Sequence, residues 1–63
     1  MAKTDKMETF KIEFYKGNKY DSYIIREFAD IEYAMDYAYY HLYECTSARV
    51  CYGAGFKHYV VVN

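Results

Sequence analysis

Hydrophobic and polar residues alternate along the first third of the chain. Between residues 8 and 16, Phe10, Ile12 and Phe14 fall on one side, and the positions between them hold Lys, Glu and Tyr. A period of two is typical of a strand with one buried face. A Gly-Asn dipeptide follows at positions 17 and 18 and suits the two-residue turn of a β-hairpin. We therefore predict a strand over 8–16 that leads into a hairpin.

The returning strand of this hairpin is predicted over 19–28, where two sets of residues compete for the buried face. Ser22, Ile24, Arg26 and Phe28 form one set, and Tyr23, Ile25 and Glu27 form the other. Paired strands share a buried face, so the second strand should place apolar residues on the same side as the apolar residues of the first strand. We expect Ile24 and Phe28 to point inward and Tyr23 to point outward.

The segment 29–45 (ADIEYAMDYAYYHLYEC) carries a helical period and is predicted to be the only helix. Asp30 is the expected N-cap, because its carboxylate can accept hydrogen bonds from the free N–H groups of the first turn. At about 100° per residue, one side collects small and apolar residues: Ile31, Ala34, Met35, Ala38, Leu42 and Cys45. The opposite side collects rings and carboxylates: Tyr33, Asp36, Tyr37, Tyr40, Tyr43 and Glu44.

Two more strands are predicted after the helix, over 48–52 and 56–62, with Gly53-Ala54-Gly55 as the turn between them. The order strand-strand-helix-strand-strand predicts an α+β, two-layer fold with one antiparallel four-stranded sheet and a single helix across one face. The last strand ends in the β-branched run Val60-Val61-Val62. We expect this terminal strand to be paired, and we consider a central position in the sheet for it.

The 63 residues are expected to form a single domain, 1–63, with residues 1–7 frayed. No run approaches the ~20 apolar residues that span a bilayer, and the charged first residues do not resemble a secretory signal. Two cysteines in such a chain suggest reduced thiols. These features predict a cytoplasmic protein.

Charge is distributed unevenly, although the formal net charge is only −1. Residues 21–48 hold six carboxylates and one arginine, whereas the segments on either side each have an excess of two positive charges. An acidic helix region repels phosphate and attracts basic surfaces. The charge pattern therefore favours a basic partner for the helix.

Ten tyrosines contribute to an aromatic content of 22%. A single helix leaves one face of the sheet uncovered, and Tyr15, Tyr23, Tyr59 and Val61 are candidates for that face. Exposed apolar patches mark interaction sites, and tyrosine combines contact area with a hydroxyl group. On the helix we predict a partner-binding set: Tyr33, Asp36, Tyr37, Tyr40, Tyr43 and Glu44. The alternative, strongest for Tyr37 and Tyr39, is that these rings complete the core.

The chemistry expected of an enzyme is missing from the sequence. There is no glycine-rich phosphate loop, and the serines and histidines show no nucleophile–base spacing. A sheet and one helix also leave little room for a pocket of about 300 Å³. We predict a non-enzymatic protein without a cofactor.

A zinc site is the metal alternative, with ligands at His41, Cys45, Cys51 and His58. Two thiolates and two imidazoles would suit tetrahedral zinc, but the usual short C-x2-C knuckle is missing. Small buried thiols and surface histidines explain the same residues. We predict no metal site, and a Cys45–Cys51 disulfide is a further alternative.

Single-stranded nucleic acid is the alternative partner, because exposed sheet aromatics can stack on bases. Tyr15, Tyr23 and Tyr59 would be the platforms, with nearby cations at Lys11, Lys16, Lys19, Arg49 and Lys57. The slightly negative net charge and the absence of basic-aromatic recognition strings argue against it. A structural homodimer is the remaining alternative.

The helix also suggests a resemblance. Its ring–carboxylate neighbours are Glu32-Tyr33, Asp36-Tyr37, Tyr39-Tyr40 and Tyr43-Glu44. In this arrangement of rings and carboxylates, the chain resembles small inhibitor proteins of the anti-CRISPR and host-takeover type, which bacteriophages encode. The resemblance covers only the helix and contains no diagnostic motif. It implies an inhibitor that occludes a basic, often nucleic-acid-binding, surface of a host defence protein.

Overall fold

The computed structural model describes residues 7–63 and has one sheet with one α-helix against it. The elements are β1 (Glu8–Lys16), β2 (Lys19–Phe28), α1 (Ile31–Tyr40), β3 (Ser47–Tyr52), a one-turn 3₁₀ helix (Ala54–Phe56) and β4 (His58–Val62). The strands lie in the order β2-β1-β3-β4, and every pair is antiparallel. The predicted α+β fold class is confirmed. The predicted fraying at the start of the chain concerns mainly residues 1–6, which lie outside the described residues.

The β1–β2 hairpin forms as predicted, with a shift in the strand register between Phe14 and Tyr15. Ile12 pairs with Ile24, and both face the helix side of the sheet with Phe10 and Phe14. Gly17 has a φ of 63°, which a glycine adopts without steric cost in the connecting turn. Ile24 and Phe28 pack against the core, so the inward assignment for β2 is confirmed.

The helix begins as predicted. The Asp30 carboxylate accepts hydrogen bonds from the backbone N–H groups of Glu32 (2.9 Å) and Tyr33 (3.2 Å). These bonds satisfy two of the free donors of the first turn. The predicted N-cap is therefore present in the structure.

The predicted C-terminal end of the helix, at Cys45, was wrong. The helix ends at Tyr40, and residues 41–46 form turns that carry the chain back to β3. The backbone N–H of Thr46 already bonds to the carbonyl oxygen of Tyr15 (2.9 Å), so the chain must leave the helix axis before that point. Leu42 and Cys45 still pack against the core from the turn. Because both residues are partly buried, the helical spacing of apolar residues in the sequence extends beyond the last residue of the helix.

The core lies between α1 and the two central strands. Ala34 and Ala38 are fully buried, and these small side chains let the helix approach the sheet closely. The largest fully buried side chains come from the strands beneath: Phe10, Ile12 and Val50. Residues of the predicted helical stripe surround them. The burial of Ala34 and Ala38 is confirmed.

The terminal strand β4 is at an edge of the sheet, which excludes the central position considered for it. β3 pairs with β1 on one side and with β4 on the other. Val62 is buried on the helix side, whereas Val61 is half exposed on the other face. The β-branched run therefore reflects one buried face and does not require neighbours on both edges.

Candidate partner-binding surface

Five of the six predicted site residues form one exposed region, which we term the acidic tyrosine surface: Tyr33, Asp36, Tyr40, Tyr43 and Glu44. Tyr33, Asp36 and Tyr40 lie on the outer side of α1, and the other two lie in the turn that follows it. The exposed fractions of Tyr33, Tyr40 and Tyr43 are 60%, 72% and 83%. These rings therefore stand in solvent beside carboxylates.

Tyr43 is placed by a left-handed backbone conformation, not by the helix. Its φ of 53° lies in a region that is uncommon for a bulky residue. The backbone N–H of Cys45 bonds to the Leu42 carbonyl oxygen (2.7 Å) and closes the turn around it. The Tyr43 ring contacts the His41 ring edge to face, with centroids 5.7 Å apart. The turn thus extends the surface beyond the last residue of the helix.

Tyr37, the sixth predicted residue, is only partly exposed and lies at the margin of this surface. Its ring stacks on His41 (centroids 3.9 Å apart) and contacts Phe28 (5.4 Å). The Arg26 guanidinium lies 5.3 Å from the same ring. The His41 ring is held in turn, because its Nδ1 donates to the Tyr37 carbonyl oxygen (2.8 Å). Tyr37 therefore joins the helix to β2.

The electrostatics of the surface are dominated by carboxylates. Glu32 and Asp36 are exposed, and within residues 7–63 neither forms an ion pair. Glu44 lies 3.5 Å from the Lys16 amine, but both side chains are exposed, so this pair is screened by water. The carboxylates remain accessible to cationic groups of another molecule.

An open groove of about 480 Å³ lies beside this surface, between β2 and the turn after α1. Phe14, Ile24 and Leu42 contribute apolar lining, and Asp21 and Glu44 contribute carboxylates. The expectation that the domain is too small for a pocket of this size was wrong. The groove forms because α1 lies mainly over β3 and leaves part of β2 uncovered.

Cys45 lines this groove, but its thiol is poorly activated. Burial raises the pKa of Cys45, and the negative charge of Asp21 raises it further. The thiol lies 3.8 Å from an Asp21 carboxylate oxygen, to which it can donate. The thiolate is the reactive form of cysteine, so a raised pKa disfavours nucleophilic chemistry at neutral pH.

The side of the sheet opposite α1 forms a second aromatic region, which we term the open sheet face. It brings together the four predicted residues Tyr15, Tyr23, Tyr59 and Val61. It also contains three residues that were not predicted for this face: Tyr20, Ile25 and Cys51. The alternation along β2 was the sequence signal for Ile25, because it places Ile25 on the same face as Tyr23.

Cations lie over the rings of the open sheet face. The Arg49 guanidinium is 4.8 Å from the ring centroids of both Tyr15 and Tyr59. The Lys11 amine is 4.9 Å from the Tyr23 centroid. Such cation–π contacts typically contribute ~0.5–1 kcal/mol at exposed sites. They hold both cations against the sheet.

The Glu13 carboxylate contacts two residues of the open sheet face, Tyr15 and Lys11. One of its oxygens accepts from the Tyr15 hydroxyl (3.1 Å), and the other lies 3.3 Å from the Lys11 amine. The hydrogen bond to Glu13 raises the pKa of Lys11, and burial together with the bond to Glu13 raises the pKa of Tyr15. Lys11 is therefore already partnered within the sheet.

The alternative zinc set is not brought together. Cys51 pairs with Tyr59 and with Lys11 on the open sheet face, whereas Cys45 packs against the core on the helix side. His41 already uses its Nδ1 on the Tyr37 carbonyl. Burial and the charge of Glu13 raise the pKa of Cys51, which disfavours the metal-binding thiolate. Both cysteines are free, and residues 7–63 contain no grouping of metal-binding side chains.

Comparison with known proteins gives no relative. No protein-family model, curated protein or solved structure matches the chain. Within residues 7–63, no helix has the length and apolar character needed to cross a membrane.

Proposed function

We propose that the protein is a small non-enzymatic binding module whose acidic tyrosine surface occludes a basic surface of another protein. One observation supports this most strongly. The three most exposed large hydrophobic or aromatic side chains in the described part of the chain, Tyr33, Tyr40 and Tyr43, all lie on this surface beside carboxylates. The proposal extends to an inhibitor encoded by a bacteriophage, which would act on a host defence protein in the host cytoplasm.

The physical basis is the combination of rings and charge. A tyrosine ring gives a large contact area with few rotatable bonds, so it loses little conformational entropy when it is buried at an interface. Central aromatic residues commonly supply most of the binding energy of an interface. The carboxylates around them steer a basic surface into contact and disfavour acidic partners. The groove beside Tyr43 and Glu44 can receive a side chain of the partner.

The charge requirement can be tested by neutralising two surface carboxylates. A partner is first isolated on the immobilised wild-type protein and its dissociation constant is then measured. Asp36→Asn combined with Glu44→Gln should weaken binding about tenfold and reduce its salt dependence, because two exposed contacts to a basic surface are lost. The matched control is Glu8→Gln with Glu27→Gln, which changes net charge equally on exposed positions of β1 and β2.

The control should bind like the wild-type protein. Equal losses in both variants would indicate a general effect of net charge, and no loss in the first variant would exclude the carboxylates from the interface. Either result contradicts the proposed role of the acidic tyrosine surface.

A second candidate function is the binding of single-stranded nucleic acid on the open sheet face. The supporting observation is that Tyr15 and Tyr59 lie on one face with Arg49 between their rings. Fluorescence anisotropy with labelled DNA and RNA strands at low salt tests it. This function requires binding that weakens steeply with salt and falls in Arg49→Gln. We expect no such binding, because the Lys11 charge is already neutralised by Glu13.

A further inference from the structure

The two edge strands of the sheet differ in how they are protected from pairing with another chain. In the described part of the chain the sheet ends at β2 and at β4. The β2 edge carries exposed charged residues along its length: Lys19, Asp21, Arg26 and Glu27. β4 has the sequence HYVVV, without Lys, Arg, Asp, Glu or Pro. Charged residues and proline are the usual devices that keep an edge strand from pairing with another chain. The β4 edge lacks them.

The side chains of β4 are complementary to a second copy of the same strand. In a full antiparallel alignment, Val60 lies opposite Val60 of the second copy, and Tyr59 lies opposite Val61 of the second copy. Tyr59 and Val61 are half exposed, at 51% and 53%, on the open sheet face. Pairs of an aromatic and a β-branched residue stabilise neighbouring strands. This pair occurs twice, as a two-fold symmetric interface requires.

We propose that β4 pairs with β4 of a second copy to form a continuous eight-stranded antiparallel sheet. The two-fold axis is then perpendicular to the sheet, and both helices lie on the same side of it. The two acidic tyrosine surfaces consequently face the same direction. The dimer can engage two basic sites of one partner, or two adjacent partners, at a higher effective concentration than a monomer.

Sedimentation equilibrium over a wide range of protein concentration tests this pairing. The wild-type protein should populate a dimer, and Tyr59→Lys with Val61→Lys should raise the dimer dissociation constant at least about tenfold, since lysine protects edges. The matched control is Tyr23→Lys with Ile25→Lys. Those residues have the same spacing, the same face and nearly the same exposure (52% and 51%), but they lie on the opposite edge. The control should remain dimeric.

Three results would overturn the pairing. They are a wild-type protein that is monomeric at every concentration, equal dissociation of both variants (which indicates face-to-face packing), and a dimer that neither variant affects. Hydrogen exchange of the wild-type β4 amides gives a second readout without substitution, because their exchange should slow as concentration rises. The β4 variant should still capture the partner, so a failure of dimerisation is distinguishable from a failure of the proposed function.

Discussion

Replacement of Phe10 by alanine is expected to remove a large part of the protein's stability against unfolding. Phe10 is almost fully buried in the central strand β1, and its ring contacts Phe28 with centroids 6.0 Å apart. Removal of a buried phenylalanine ring costs about 3–5 kcal/mol through lost transfer energy and a cavity. A chain of this size has a total stability on the order of 3–9 kcal/mol, so this one loss consumes much of it. Urea unfolding followed by circular dichroism measures the effect.

Tyr23→Ala is the control for this prediction. It also removes an aromatic ring from the first hairpin, but from the open sheet face, where the ring is half exposed. We expect a loss below about 1 kcal/mol, because little surface leaves the protein interior. Comparable losses in the two variants would show that the buried face of the hairpin has been assigned to the wrong side.

The second large effect is expected on binding. Tyr40→Ala combined with Tyr43→Asn should weaken capture of the partner at least about a hundredfold, because central aromatic residues often contribute 2 kcal/mol or more each. The free energy of unfolding should change by less than about 0.5 kcal/mol, since both rings stand in solvent. Asparagine is used at position 43 because it tolerates the left-handed backbone there.

The control for this pair is Tyr20→Ala with Tyr23→Ala, which removes two half-exposed rings from the open sheet face. It should bind the partner like the wild-type protein. Loss of binding in the control alone would show that the partner binds to the open sheet face. Unfolding of the Tyr40 and Tyr43 variant would instead show that these rings belong to the core.

Local patterns predicted the elements and the two-layer arrangement, but not the end of α1 or the place of β4 in the sheet. The alternation of Phe10, Ile12 and Phe14 defines both β1 and its buried face, because each choice involves only neighbouring residues. The end of α1 could not be read in this way. Leu42 and Cys45 contact the core from a turn, so they repeat the helical spacing without belonging to the helix. The edge position of β4 depends on long-range strand pairing, which no local pattern encodes.

In the candidate site, too, features set by local spacing were predictable, and features set by long-range packing were not. The outward direction of Tyr33 and Tyr40 follows from their angle on the helix and was predictable. Tyr43 also points outward, but a turn rather than the helix places it. The groove was not predictable, because it depends on where the helix lies relative to β2. The partial burial of Tyr37 was one of the alternatives that the sequence left open, and it arises because Phe28 of β2 packs against the Tyr37 ring.

Chemical nitration of tyrosines, located by mass spectrometry, tests most directly which rings meet the partner. In the free protein, Tyr33, Tyr40 and Tyr43 should react readily, together with Tyr23 and Tyr59 of the open sheet face. In the complex with the captured partner, the first three should be protected while the last two remain reactive. Protection of Tyr23 and Tyr59 instead, or three unreactive rings on the helix side of the free protein, would contradict the assignment of the binding surface.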